Sequence, residues 1–329
     1  SANFKGFISI INENGIEYSS FGRISHYKIN YPYKLNFYNN NLFVFDKATS
    51  SLSQYDLNGD LIKSRYNEQG LFFSDYTDAF WGDSKIYLIK TIDLEERKTS
   101  IEIYDYKFNK ILDKILFTST GDVESKITVN DDGNIFITGE FEISGKKHFM
   151  VMINNKGHII NKWKSETDLS LLYSEDELKK TKDKSFRFLS FDNKGRVYIL
   201  FSDRNNIYKI HCVNITDLGK AELVKVIDVS MFETVVTFID GDKTYDKKEF
   251  FGNINGKVLS IREGKNNFSY VLYKDHNNKT TKISIHNPIG KLQKEFYLNE
   301  YEDVRDLTLD NQDNIWLATD SSLRKLSNK

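Results

Sequence analysis

Apolar runs of three to five residues recur along the chain. Six times such a run ends in an Asn/Asp/Gly turn and a second, more hydrophobic run follows at once. The second runs are LFVF from Leu42, IYLI from Ile86, IFI from Ile135, VYILF from Val197, VLSI from Val258 and IWLA from Ile315, with starts 44, 49, 62, 61 and 57 residues apart. A weaker partner precedes each, as in KLNFYNNNLFVF from Lys34, KITVNDDGNIFI from Lys126, RFLSFDNKGRVYIL from Arg187 and DLTLDNQDNIWLA from Asp306. Asn, Asp and Gly tolerate the positive φ that short hairpin loops need, so these pairs predict the first two strands of a repeating sheet. A second class of hairpin interleaves with them, around Gly15, Gly59, Asn109, Gly157, Gly219 and Gly290, and predicts the outer two strands.

Four strands per repeat at this period, with insertions, predict an all-β chain forming one six-bladed β-propeller of four-stranded antiparallel blades. The expected blades run over roughly 32–66, 76–118, 125–166, 186–228, 248–298, and 302–329 closed by 5–22. The chain opens on an outer hairpin at Gly15 and ends on an inner one around Asp313, so the N- and C-terminal segments are expected to share the closing blade. Leu323 to Leu326 and Phe7 to Asn12 compete for the third place in that blade, and one of them is expected to be displaced or to sit at the rim.

Within Pro32 to Ile62 the segment YKLNFYNNNLFVFDKATSSLSQYDLNGDLI resembles NHL-type and related six-bladed propeller repeats. The last copy, DNQDNIWLATDSSLRKLS, is similar to the propeller repeats of bacterial sensor proteins through Trp316 and Thr319, and carries Ser322 where those repeats have Gly. The resemblance implies architecture rather than activity.

Composition narrows the partners. Aromatics make up 14% of the chain against only 2 Pro, as befits a strand-rich fold, and 46 Lys plus Arg against 47 Asp plus Glu leave a net charge of −1. That balance offers no general attraction to nucleic acid, so an anionic partner has to be met by a local patch. No apolar run reaches the roughly 18 residues that span a bilayer. The single Cys212 excludes an intrachain disulfide and is expected as a buried, inert thiol. The chain opens Ser1-Ala2-Asn3 without Met, which predicts that a start codon, signal peptide or lipid-anchor segment was removed.

Insertions from about Ser165 to Lys184, Val229 to Lys247 and Asn67 to Asp75 fall in one loop class and are expected to crowd one face. The first contains SEDELKK, a capping box with Ser174 and Glu177 that predicts a short helix, and the third carries Leu71, Phe72 and Phe73. The residues that begin the inner strands align as Tyr33, Tyr76, Ser125, Arg187, Lys248 and Arg305, with Glu249 replacing Lys248 if the fifth blade shifts by one. A ring of Tyr33, Tyr76, Arg187, Lys248 and Arg305 at the channel mouth would suit an anionic or hydroxyl-rich ligand, because Arg forks onto carboxylate or phosphate and Tyr offers a flat face with a polar tip. The bland reading is that strand-end Lys and Arg are solvated and that Tyr packs the next blade.

Chemistry beyond binding has little support in the residues. The six histidines, among them His211 in an alternating strand, lack metal-ligand spacing, so neither a metal nor any other cofactor is expected. The Asp and Asn of DNQDN and NDDGN are expected to bond their own turns rather than calcium. No Gly-rich phosphate loop or nucleophile elbow is present. The sequence thus predicts a non-enzymatic scaffold of the cell envelope or exterior that binds a protein or polysaccharide through its loop-rich face. The alternative is a propeller lyase or hydrolase acting on an anionic or sugar-like substrate at the channel mouth, with His26 the first base to test.

Overall fold

The computed structural model of the protein describes residues 7–11, 17–21, 32–65 except 48, 50, 58 and 59, 76–119 except 83 and 93–97, 125–173, 185–202, 208–227 except 217 and 218, 233–240, 243–250, 256–298 except 276–279, 304–319 and 322–326. They divide into two compact units, residues 1–162 with 303–329, and residues 163–302.

In the first unit the chain opens with the hairpin β1 (Phe7–Ile11) and β2 (Glu17–Phe21). An antiparallel meander follows, β3 (Pro32–Tyr38), β4 (Asn41–Asp46), β5 (Ser51–Tyr55) and β6 (Leu61–Arg65). The next two are β7 (Tyr76–Trp81), β8 (Lys85–Ile92), β9 (Lys98–Asp105) and β10 (Lys110–Ser119), then β11 (Lys126–Val129), β12 (Ile135–Ile143), β13 (Lys146–Ile153) and β14 (Ile159–Trp163). Pairing of Thr118 with Glu142 and Ser119 with Phe141 joins β10 to β12 and merges the two into one eight-stranded sheet.

The second unit holds the meander β15 (Ser185–Phe191), β16 (Val197–Ser202), β17 (Tyr208–Ile215) and β18 (Ala221–Ile227). A two-stranded hairpin, β19 (Glu233–Asp240) and β20 (Lys243–Phe250), separates it from the meander β21 (Gly256–Glu263), β22 (Ser269–Asp275), β23 (Thr280–His286) and β24 (Leu292–Tyr297). The chain returns to the first unit with β25 (Asp306–Leu309), β26 (Ile315–Ala318) and β27 (Ser322–Leu326). Among the described residues no helix is long and apolar enough to cross a membrane.

Both chain ends lie in one sheet, of order β2-β1-β27-β26-β25, as the hairpin order predicts. The competition for the third place is resolved by displacing β1 outward. β27 keeps the third place, antiparallel to β26, and β1 adds outside it in parallel, Phe7 opposite Ser322 through Ile11 opposite Leu326. The sheet therefore holds five strands. The fifth repeat also needs correcting: VLSI lies on β21, the first strand of its sheet, and β22 is the second. The inner turn there runs through Gly264 and the left-handed Asn266 and Asn267, after VLSI, so the Asn/Gly turn expected ahead of Val258, in the segment FGNING, is not the inner turn of the sheet. A third correction concerns the insertion from Val229 to Lys247. Its described part is the hairpin β19–β20, because VVTFI is built of strand formers and only the two residues Gly241-Asp242 separate Asp240 from its partner Lys243.

The turns behave as their composition predicts. In a recurring five-residue loop the first side chain accepts the backbone N–H groups two and four residues on, as Asp310 does from Gln312 and Asn314, Asp192 from Lys194 and Arg196, and Asn287 from Ile289 and Lys291. The fourth residue takes positive φ, as at Asp313, Gly195 and Gly290. Sheets pack face to face through aliphatic and aromatic side chains. Trp316 and Ala318 meet Leu35, Val44 and Tyr55, while in the second unit Tyr198, Ile210 and Cys212 meet Val258, Val271 and Tyr273.

Two glycines separate contact from conformation. At Gly290 (φ +85°) a Cβ would lie 1.8 Å from the Val226 carbonyl oxygen, whereas at Gly133 (φ +80°) nothing lies within 4 Å. Gly133→Ala is therefore expected to cost only the backbone strain, about 1–2 kcal/mol, and Gly290→Ala clearly more, because backbone has to move. Urea unfolding of the two variants checks the ranking.

Candidate functional site

The starts of β3 and β7 come together around one ring. Tyr33 and Tyr76 both stand edge-on to Phe45, with ring centroids 6.2 and 6.3 Å away. Lys47 lies over Tyr33 with Nζ 4.5 Å from the ring centroid, and Lys34 lies 5.9 Å from it. Phe45 and Tyr76 are buried, so Tyr33 alone is half-buried at this point, a flat ring with cations beside it, the combination that meets flat, hydroxylated or anionic groups.

Behind this face sits a buried carboxylate. Glu102, only 1% exposed, accepts the hydroxyls of Tyr76 and Tyr104, each at 2.6 Å, and ion-pairs with Lys110 at 2.8 Å and with Lys90. Alternation in IEIYD places Ile101 and Ile103 on one face of β9 and Glu102 and Tyr104 on the other, and both faces are buried. Burial alone would raise the Glu102 carboxyl, but the Lys110, Lys90, Tyr104 and Tyr76 donors bring it down to about 2. Burial and the Glu102 charge push Tyr104 up to about 12 and Tyr76 higher still. Lys110, opposed by its own burial, is raised by its bonds to Glu102 and Asp113.

First strands are also linked from sheet to sheet. The Asp306 carboxylate accepts the Leu35 N–H at 2.9 Å, and the Asp78 carboxylate accepts the Ile127 N–H at 2.9 Å while Lys34 stands 3.5 Å from its other oxygen. Burial raises the Asp78 pKa against the pull of Lys34 and of that N–H. Arg305 is half-buried ahead of Asp306, its N–H donating to the Ala318 carbonyl at 2.8 Å, and Ser125 is buried just before β11.

In the second unit, Arg187 is exposed on β15, cross-strand from Leu200. Glu166, from the 3₁₀ segment Glu166–Leu172, is raised by partial burial against the opposing Arg187 charge and the Phe188 N–H. Lys248 lies on β20 opposite Val235, and Glu249 opposite Thr234, so neither begins the first strand of a four-stranded sheet. Of the predicted residues the structure thus brings Tyr33 and Tyr76 together on Phe45. Ser174 to Glu177, Leu71 to Phe73 and His26 lie outside the described residues.

Remaining candidates resolve into structure. The Tyr173 hydroxyl lies 3.2 Å from His211 Nδ1, and the His211 ring stacks on Phe201 at 5.0 Å. Cys212 is wholly buried, and burial and the Asp192 charge push its thiol up to about 12, which keeps it protonated and inert. Sequence reasoning missed Lys47, Lys90, Glu102, Tyr104 and Lys110. The one available signal was an acid at the centre of the apolar strand SIEIY, a position where a charge needs a partner.

No protein-family model matches the chain, and no curated protein matches it in sequence. Its fold is similar to solved structures. A member of the DUF4221 family from Bacteroides vulgatus is 11% identical over 97% of this chain and 94% of that one, with a TM-score of 0.50. Virginiamycin B lyase from Staphylococcus aureus is 14% identical over 90% and 94%, at 0.47, and the WD40 domain of Neurospora crassa Pan2 is 12% identical over 96% and 81%, at 0.45. At these identities the likeness concerns the fold alone. The successive antiparallel meanders and the sheet shared by both chain ends define an all-β protein of the β-propeller class.

The Glu102 cluster makes a directional claim on stability. A carboxyl lowered from 4.5 to about 2 contributes roughly 3 kcal/mol, fully present above pH 4.5 and lost as pH falls through about 2. Glu102→Gln is expected to lose about that much at pH 7 and to converge on wild type near pH 2. Denaturant unfolding at a series of pH values measures the convergence.

Proposed function

We propose that the protein is a non-enzymatic six-bladed scaffold of the cell envelope or exterior that holds an anionic or hydroxyl-rich partner. The starts of its first strands carry the binding residues. Four-stranded meanders at β3–β6, β7–β10, β11–β14, β15–β18 and β21–β24, with the terminal sheet, support a count of six. The observation that carries the binding reading is the half-buried Tyr33 with Lys47 over its ring, held from behind by the buried Phe45 and Tyr76. Arg187, exposed on β15, is the cation assigned to the same task in the second unit.

The Glu102 cluster favours holding over turnover. A base or acid working near neutral pH needs a pKa close to it. Tyr76 and Tyr104 are instead driven up and Glu102 down, each by the others, so the groups behind the face form a fixed charged frame.

Fluorescent polygalacturonate, an acidic polysaccharide, serves as the binding probe. Lys47→Ala and Arg187→Ala are each expected to weaken it several-fold with unchanged circular dichroism, and added salt to weaken it further. Wild-type affinity in both variants, or shortening of the probe during incubation, would sink the reading. Placement is tested separately: fractionation of cells that express the full-length gene is expected to find the protein outside the cytoplasm.

A further inference from the structure

The hairpin β19–β20 stands outside the four-stranded sheets. Its strands pair from Glu233 opposite Phe250 to Asp240 opposite Lys243, and among the described residues no other strand joins them. A two-stranded ribbon is marginal in water by itself, and its outer edges present unpaired backbone N–H and C=O groups.

The two edges differ in sequence. β20, KTYDKKEF, carries Lys243, Lys247 and Lys248, and lysine is a common guard against strand addition. The last strands of four meanders have the same guard, in Lys63, Lys114, Lys162 and Lys294. β19, ETVVTFID, has no lysine. Its strand-forming centre, Val235 to Ile239, lies between Glu233 and Asp240, one acid at or beside each end.

We propose that the outer edge of β19, which no other strand joins among the described residues, is the docking site for an extended segment of a partner protein, apolar at its centre and cationic at both ends, which adds as a third strand. Backbone pairing gives the affinity, and the two terminal acids select the flanking cations. A second copy of this chain is the poorer fit. Antiparallel β19 against β19 sets Glu233 opposite Asp240, and parallel addition sets each acid beside its own copy, so both arrangements juxtapose like charges. The inference rests on the scaffold reading and names a further contact and its chemistry.

The test uses the full chain and a fluorescent peptide, Lys-Lys-Val-Thr-Val-Thr-Val-Lys-Lys. Saturable binding to wild type is expected, with at least a tenfold loss in Val236→Lys and in a variant whose residues 233–250 are replaced by a short Gly-Ser linker. Loss is also expected when the peptide's lysines become glutamates or when alternate amides are N-methylated. Circular dichroism and thermal midpoints confirm that the variants fold. No binding to wild type, equal binding to the hairpin-less protein, or β19-dependent self-association in sedimentation overturns the proposal. Polygalacturonate binding separates the two claims. If it persists without the hairpin while the peptide never binds, the edge proposal alone falls; if it fails while the peptide binds, only the strand-start assignment does.

Discussion

Stacked sheets of this kind share side-chain cores but few backbone hydrogen bonds, so something else has to fix one sheet against the next. In the first unit that task falls to buried carboxylates on the first strands. Asp306 holds the Leu35 amide and Asp78 holds the Ile127 amide, while Lys34 faces Asp78 across the boundary between these two, from β3 to β7. The four residues directly ahead of the apolar Leu307, Leu35, Ala79 and Ile127 are Asp306, Lys34, Asp78 and Lys126, a row that alternates in charge from strand to strand. A buried carboxylate costs several kcal/mol unless it is well paired, and here an N–H and an ammonium offset that cost only when neighbouring strands are in register. The placement of Tyr33 and Tyr76 on Phe45 follows from this register, since the two tyrosines belong to the strands so fixed.

At the outer rim a different contact does the same work. Lys63 reaches the carbonyl of Lys107, and Lys114 reaches that of Lys156 at 3.2 Å, so the last strand of one meander grips the outer turn of the next. The Gly290 turn lies against the Val226 carbonyl in the second unit in the same way. Those turns are pre-shaped by their own first side chain, which is why the Asp and Asn residues at these loops serve backbone geometry.

Much of the architecture was legible because its determinants are local. An Asn, Asp or Gly at a fixed place between two strand-forming runs reports a hairpin without knowledge of anything distant, and the turns at Asn130, Asp192, Asn154 and Asp310 all read correctly. The fifth repeat did not, because FGNING imitates an inner turn while the true one uses Asn266 and Asn267 in left-handed conformations, a lysine-flanked pair with weaker punctuation. The candidate site was half legible. Strand starts gave Tyr33 and Tyr76, but the partner of Tyr76 lies 26 residues away on another strand, and no local pattern reports which tyrosines and lysines converge on Glu102. Long-range polar convergence is set by packing, and a single sequence shows only that a lone acid in an apolar strand needs company.

The parallel seam between β1 and β27 joins residues more than three hundred positions apart. A contact of that separation closes the longest loop in the molecule, and non-local pairing of this sort slows folding. During synthesis β1 leaves the ribosome with its eventual neighbour still untranslated, so its hydrogen-bonding edge stays open to other strands for nearly the whole elongation time. The terminal sheet is therefore the place where newly made chains are most exposed to mispairing, and the step at which a completed chain first becomes resistant to it.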